Sequence, residues 1–433
     1  MLKKKHKKYL ERWKPEHYIN SSIVTEVGGT YLNVWDIIKS ALVKKLNIFL
    51  AGETGEGKTQ LEKDILGLFG NKGVFILGRN DMDIRELFRK ISGKKLDQLR
   101  QGLLDSDEVT DLTEMLNYHV FVCDEQTRCI PAVQNQLFNL YDGYIELDGK
   151  IYTTGDGYCV GVASGNIGNK YVGTSSQDRA LLDRMHILLD MDNADFSPTP
   201  VDFLNILAKN NGPRVKDAVG KHDRSSEIID VYQTLKDQKP SWEQYIGALY
   251  LRFGLDYLES TKHHSKRHAK NIWPNIPHLS DDEKKGDSTL IYPISSRAAL
   301  TCIDLGLGMK AVAEAKGAQD INETELFLDA FRIIGSYSGI LNTDQIMRDP
   351  NYEGNLYTAM GDINSRIKSE LDIHLPKIFE SLAYANTGTI NNSLMKEFTG
   401  SWGFMQPVIR YTAERARSEK IPVEASLEEV IAA

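Results

Sequence analysis

Cysteine is scarce: there are four in 433 residues, at 123, 129, 159 and 302, with neither a CxxC pair nor the spacing of a disulfide framework. That excludes a small disulfide-stapled secreted fold and fits thiols kept reduced, so a cytoplasmic setting is expected. Long apolar runs are missing as well. No stretch approaches the roughly 18 apolar residues of a membrane span. The basic start MLKKKHKKYLERWKPEH has no apolar stretch behind it, which argues against a secretory signal. Net positive charge is also lacking. At −8 the chain offers no global attraction to nucleic acid or anionic lipid.

What is present suits a folded protein of more than one unit. A length of 433 residues exceeds a usual single domain, and 41% hydrophobic with 26% charged residues allows a sizeable core. Residues 1–21, rich in Lys and His at the start, read as a solvated basic tail. Over 22–200 short apolar runs alternate with helical patterns: LNIFLA (46–51), VFIL (74–77), HVFVC (119–123), CVGVAS (159–164) and HILLDM (186–191). Such runs, separated by helix-length segments, predict an α/β fold with a parallel sheet between helices. Over 201–341 strand signals fade, and DVYQTLKDQ, WEQYIGALYLRFGLDYLES, SSRAALTCIDLGLGMKAVAEAKG and DINETELFLDAFRIIG read as helices. Residues 261–288 form a polar insert, and 342–433 a helical extension interrupted at Pro376 and Pro407.

The sharpest signal is GETGEGKT, Gly52 to Thr59, which matches G-x-x-x-x-G-K-[ST] between a predicted strand and a predicted helix. Glycines let backbone N–H groups turn around phosphates, and the helix N-terminus adds a positive dipole. The binding set is therefore Gly52, Glu53, Thr54, Gly55, Glu56, Gly57, Lys58, Thr59 and Gln60. Lys58 would reach the β- and γ-phosphates and the Thr59 hydroxyl would bind Mg²⁺. Glu53 and Glu56 occupy variable positions, where side chains can face solvent while the backbone binds. No N-K-x-D signature for guanine occurs, so ATP is favoured over GTP.

HVFVCDEQTR ends a predicted strand in Asp124 and Glu125, at the end where ligands bind in open α/β sheets. After a phosphate loop, Asp124 reads as a second Mg²⁺ residue and Glu125 as the group that orients and deprotonates water. Other constellations carry less. NDMDIRELFRKISGKKLDQLRQG reads as a solvated helix, His264 and His268 lack a third metal ligand, and Cys123 and Cys159 read as small core hydrophobes.

VFVCDEQTRCIPAVQNQLFNLYDGYIELDG, then GVASGN and SSQDRALLDRM, resembles the MoxR-type AAA+ ATPases, including gas-vesicle and CbbQ/NorQ-like members. The shared pattern runs through Asp124, Glu125, Arg128, Gln134, Leu137, the hairpin turn Asp148–Gly149, Asn166 and Leu182–Asp183–Arg184, and YPISSRAALTCIDLG adds Arg297. The likeness covers residues 22 to 340. It implies an AAA+ domain over 22–200, a helical lid over 201–341 and the C-terminal extension. It also implies roles: Asn166 beside the γ-phosphate, Arg184 as a finger reaching a neighbouring subunit's nucleotide, and Arg297 contacting phosphates from the lid. Arg179 competes with Arg184 for the finger. Thr54 stands where the family often has proline, and no proline follows Asn166.

The expected activity is Mg-dependent ATP hydrolysis in a homohexameric ring that remodels or activates a partner. By analogy that partner is a client or adaptor, such as a von Willebrand A-type protein. Two alternatives stay open: a nucleic-acid-associated or viral motor, and an ATP-binding scaffold with little turnover.

Overall fold

The computed structural model describes residues 2–91, 95, 110–166, 184–209, 214–218, 222–255, 257–258, 263–264, 291, 294–336 and 339–419. The chain divides into two compact units, Met1–Gln238 with Leu307–Ile321, and Lys239–Gly306 with Asn322–Ala433.

The first unit opens with helix α1 (Lys4–Arg12), where a solvated tail was expected. The reason is a stripe hidden in the basic run: His6, Leu10 and Trp13 fall at helical spacing and are buried. Two acids meet its charges. Lys5 and His6 bond Asp230 at 2.6 and 3.1 Å, and Arg12 and Trp13 bond Glu227 at 2.8 and 3.0 Å. A hairpin of β1 (Ile23–Val27) and β2 (Thr30–Asn33) leads into α2 (Val34–Val43). Asn33 and Asp36 form a reciprocal capping box at its start.

The central strands follow. They are β3 (Ile48–Ala51), then α3 (Lys58–Gly67), β4 (Gly73–Leu77), the small pair β5 (Arg89–Ile91) and β6 (Thr110–Leu112), and β7 (Val120–Asp124). After β7 come α4 (Pro131–Tyr141), the hairpin β8 (Tyr144–Leu147) and β9 (Lys150–Thr153), β10 (Val160–Gly165) and β11 (Ile187–Asp190). The five apolar runs form one parallel sheet in the order β11-β3-β10-β7-β4. Both faces are covered, so every residue of β3, β7 and β10 is buried. This is the α/β fold the runs predicted. The hairpin turns at Asp148 and Gly149, both with positive φ (52° and 73°), as its Asp-Gly pair requires.

One helical expectation fails in its first half: Ile84–Phe88 coils as a single tight turn that Asp83 caps, before the chain extends into β5; Lys95 is again helical, and most of the remaining stretch lies outside the described residues. Ile84 and Phe88 are both buried, which anchors the turn. The first unit adds α5 (Pro200–Lys209) and α6 (Ser225–Leu235).

In the second unit α7 (Trp242–Leu249) widens into a π-helical turn at Tyr250–Gly254. The helix expected onward to Ser260 gives way to a short antiparallel pair, β12 (Tyr257–Leu258) with β13 (His263–His264). His264 thus lies on a strand, while His268 and most of the insert lie outside the described residues. Helix α8 (Ser296–Ala315) is divided between the units. Asn322 caps α9 (Glu323–Gly335) by accepting from the N–H of Thr324 and Glu325. Then come α10 (Thr343–Arg348), α11 (Leu356–Asn386), α12 (Asn392–Met395) and α13 (Met405–Glu419). Pro376 does not break α11: it and Asp372, whose carbonyl it frees, are exposed, so water can satisfy the lost bond. Pro407 sits in the first turn of α13, where its missing N–H matters least. Trp402 stacks between Tyr250 and His374, with ring centroids 4.6 and 4.5 Å away.

Among the described residues no helix is long and apolar enough to cross a membrane, and no cluster of three or more His, Cys, Asp or Glu could hold a metal ion.

The sheet's contact with α4 depends on one missing methyl. A Cβ at Gly161 would lie 2.1 Å from Tyr141 Cγ in the buried core. Gly161→Ala is expected to destabilise the first unit by about 1–3 kcal/mol through overpacking. Urea unfolding followed by tryptophan fluorescence should show an earlier transition; an unchanged midpoint would mean that α4 yields freely.

Candidate nucleotide site

The parallel register sets Ala51 of β3 opposite Gly165 of β10 and Ala163 opposite Cys123 of β7, so three adjacent strands finish at one level. The chain leaving each strand there carries a different chemical group. Ligands in such sheets bind at this carboxyl edge.

From β3 emerges the loop 52–57. Gly52, Gly55 and Gly57 have φ of 144°, 102° and 80°, values that a side chain disfavours. Gly57 in the left-handed region starts α3, so Lys58 and Thr59 sit at the helix N-terminus, where N–H groups are unpaired and the dipole is positive. Lys58 Nζ donates to the Gly52 and Glu53 carbonyls at 2.7 and 2.6 Å and lies 3.5 Å from Asn166 Oδ1. Burial lowers the Lys58 ammonium below its ordinary range, against the pull of Asp192 and Asp124. Glu53 is exposed and Glu56 half-buried.

Thr59 Oγ1 donates to Asp124 Oδ2 at 3.1 Å, and Ser164 Oγ donates to Asp124 Oδ1 at 2.8 Å. The carboxylate is therefore aimed from both sides. Thr59 and Asp124 are hard oxygen donors that converge, the chemistry that suits Mg²⁺, and they would hold it. Glu125 follows with φ 59°, an uncommon conformation for a side-chain-bearing residue. Its N–H donates to Ser164 Oγ at 3.2 Å, and its carboxylate meets Arg128 at 2.9 Å. Asn166 continues from β10 two residues beyond Ser164. The structure thus brings together residues 54–60, Asp124, Glu125 and Asn166 around a cavity of about 960 Å³, while Gly52 and Glu53 do not line it.

The arginines fall elsewhere. Arg184, half-buried ahead of β11, does not line that cavity; its carbonyl accepts from Asn47 Nδ2 at 3.3 Å. Arg297 starts α8 in the second unit, where its carbonyl accepts from Thr301 at 3.0 Å. Arg179, Leu182 and Asp183 lie outside the described residues.

A family model for an AAA domain of the dynein-related subfamily matches residues 47–185. This chain carries an AAA domain. The resemblance to MoxR-type AAA+ ATPases is borne out at that level. Among solved structures, a presumed ATPase from Cytophaga hutchinsonii is 14% identical, with a TM-score of 0.49 over 75% of this chain and 87% of that one. A full-length MCM homolog from Methanopyrus kandleri is 12% identical, with a TM-score of 0.42 over 70% of this chain and 55% of that one. A comparison with curated proteins finds no match.

Several groups around the AAA domain's loop escaped the motif reading. Asp192, beyond β11, accepts the Glu53 N–H at 2.7 Å and braces the loop from outside. His17, Tyr18 and Ile19 form a strap along one wall of the cavity, and Pro198, Phe203, Ile206 and Val215 add apolar surface. Asp64 of α3 accepts the backbone N–H of His17 and of Tyr18, each at 2.7 Å. Gln60 joins Asp64 and the Lys216 carbonyl, both at 3.0 Å. Farther along, Asp202 takes Ser21 N at 2.8 Å and Thr199 Oγ1 at 2.7 Å. Burial raises the Asp202 carboxyl, but these donors outweigh it and hold the group below the usual range. No local pattern marks the strap, because its meaning comes from segments remote in sequence.

Glu62 of α3 is fully buried and faces Ser164 and Asp124. Burial and the nearby Asp124 charge push its carboxyl well above the usual range.

Asp64→Ala should release the strap, together with the Gln60 side chain, while leaving residues 52–59 in place. The dissociation constant for a fluorescent ATP analogue is expected to rise about tenfold, in proportion to a lost charge-assisted pair, with Asp64→Asn intermediate. Equal affinities in equilibrium titration would show that the strap is no wall of the nucleotide site.

Proposed function

We propose that this chain hydrolyses ATP in a ring of identical subunits and uses the resulting motion to remodel or activate a partner protein. The observation that supports this best is the convergence of Lys58, Thr59, Asp124, Glu125 and Asn166 at one sheet edge, with Asp124 held by Thr59 and Ser164. In this reading the 52–57 backbone and Lys58 grip the phosphates. Mg²⁺, when bound, neutralises phosphate charge. Glu125 orients a water toward the γ-phosphorus and takes its proton, while Asn166 bonds that water or the γ-phosphate oxygens. The Arg128 ion pair fixes the Glu125 carboxylate beforehand.

Arg184, which does not line its own cavity, acts on the nucleotide of the next subunit. Arg297 reads its own subunit's phosphates from the lid. Losing the γ-phosphate releases Arg184 and lets rigid units turn against one another. The partner is a client or adaptor protein, of von Willebrand A type by the family analogy, and the setting is the cytoplasm.

A nucleic-acid motor is the second reading. Its specific support is α1, which leaves Lys3, Lys4 and Lys8 exposed on one short element. Steeply salt-dependent DNA binding would favour it.

ATP turnover of wild type, Glu125→Gln, Arg184→Ala and an equal mixture of the two variants after subunit exchange tests the main reading. Each variant alone should lose at least about 10²-fold, within the range of such groups, and the mixture should regain part of the rate. Two inactive variants with no recovery after demonstrated exchange would remove Arg184 from the shared site. A wild type without turnover would leave an ATP-binding scaffold.

A further inference from the structure

The strap that walls the cavity is continuous with α1. Trp13, buried at the end of that helix, stands four residues before His17. Those four steps span at most about 14 Å when fully extended. Pro15 fixes one backbone angle in the link and restricts Lys14 before it, so the link is short and stiff. At its other end the strap touches the phosphate loop: a Cβ at Gly57 would lie 3.5 Å from Tyr18 Cε2. Asn20 Nδ2 donates to the Tyr18 hydroxyl at 3.0 Å and to the Phe196 carbonyl at 2.6 Å, which fixes that ring in place.

The helix itself is seated on α2 and α6. Besides Asp230 and Glu227 of α6, two side chains of α2 reach it. Lys39 Nζ donates to the Leu10 carbonyl at 3.3 Å, and the Trp35 indole donates to the Trp13 carbonyl at 2.7 Å. Carbonyls at a helix end lack helical donors, so α2 caps α1 where it turns into the strap. Lys5 and Arg12 are half-exposed, and ion pairs of that kind contribute little. Burial of His6, Leu10 and Trp13 therefore does most of the seating. An element that buries so few side chains opens at a smaller cost than the sheet behind it.

We propose that α1 and residues 13–19 form a latch coupled to the occupancy of the cavity. A nucleotide lying against residues 17–19 makes contacts that exist only while the strap is in place, so it shifts α1 toward the seated state. The empty cavity lacks that bias, and α1 then opens more often, with its basic face and its apolar stripe exposed together. Linkage makes the coupling reciprocal: seating α1 tightens the nucleotide by the factor that the nucleotide tightens α1. The latch rests on the reading that the cavity takes a nucleotide; it needs neither hydrolysis nor a ring.

ADP with Mg²⁺ is the probe, because it fills the cavity without turnover. Limited trypsin digestion of the full chain reads the latch at the Arg12–Trp13 bond, which is closed to the protease while Arg12 is tied to Glu227 and Trp13 is buried. Saturating ADP should slow that cut about fivefold or more, the lower end of such couplings. Cutting after Arg417, in α13 of the second unit, should not change. Equal slowing at both bonds would mean general stabilisation and overturn the latch. Leu10→Ala, away from the cavity, should open the Arg12–Trp13 bond and weaken methylanthraniloyl-ADP binding by about the same factor. Glu227→Gln with Asp230→Asn, which keeps the apolar contacts, should give a smaller change in the same direction. Wild-type affinity in a Leu10→Ala chain that trypsin cuts freely would overturn the coupling while leaving the nucleotide site standing. A wild type that binds no ADP would instead remove the nucleotide reading, and the latch with it.

Discussion

Asp124 accepts one hydrogen bond from Thr59 and another from Ser164, and those two bonds tie together the helix after β3, the end of β7 and the end of β10. Each partner belongs to a different strand–helix segment, so the site exists only when the sheet has closed in its parallel register. The bonds also set the direction of the carboxylate, which has one oxygen toward the Thr59 hydroxyl and the other toward β10. Ser164 does a second task by accepting the Glu125 N–H, so one hydroxyl orients both acids of the pair. Charge-assisted bonds of this kind are short and strong compared with neutral ones.

Three acids near the cavity work in a similar way, as acceptors for backbone donors rather than as surface charges. Asp64 gathers two successive amides of the strap, Asp202 gathers Ser21 and Thr199, and Asp192 takes an amide of the phosphate loop. A net charge of −8 therefore includes several carboxylates committed to architecture near the cavity. Glu62 is the exception. Its buried carboxyl gathers no backbone amide and instead faces Ser164 and the Asp124 carboxylate.

The basic N-terminus shows how composition misleads. Lysines dominate residues 3–8, yet three side chains at helical spacing carry the segment onto α6 and against Trp35, whose indole donates to the Trp13 carbonyl at 2.7 Å. Composition averages over the faces of a helix, whereas packing selects one of them.

The sequence by itself determined the five strands of the parallel sheet, the phosphate loop and the acids ending β7. Each depends on local signals: apolar runs long enough to cross a sheet, glycines that free backbone amides, and charged groups where a strand stops. The hairpin turn at Asp148–Gly149 was legible for the same reason. Only the tertiary structure decided that Ser164 steers Asp124 and that residues 17–19 wall the cavity. It also decided that Pro376 could remain inside α11, on a face open to water. Those outcomes depend on which distant segments meet and on which side faces solvent, and neither is written in the pattern of any single segment.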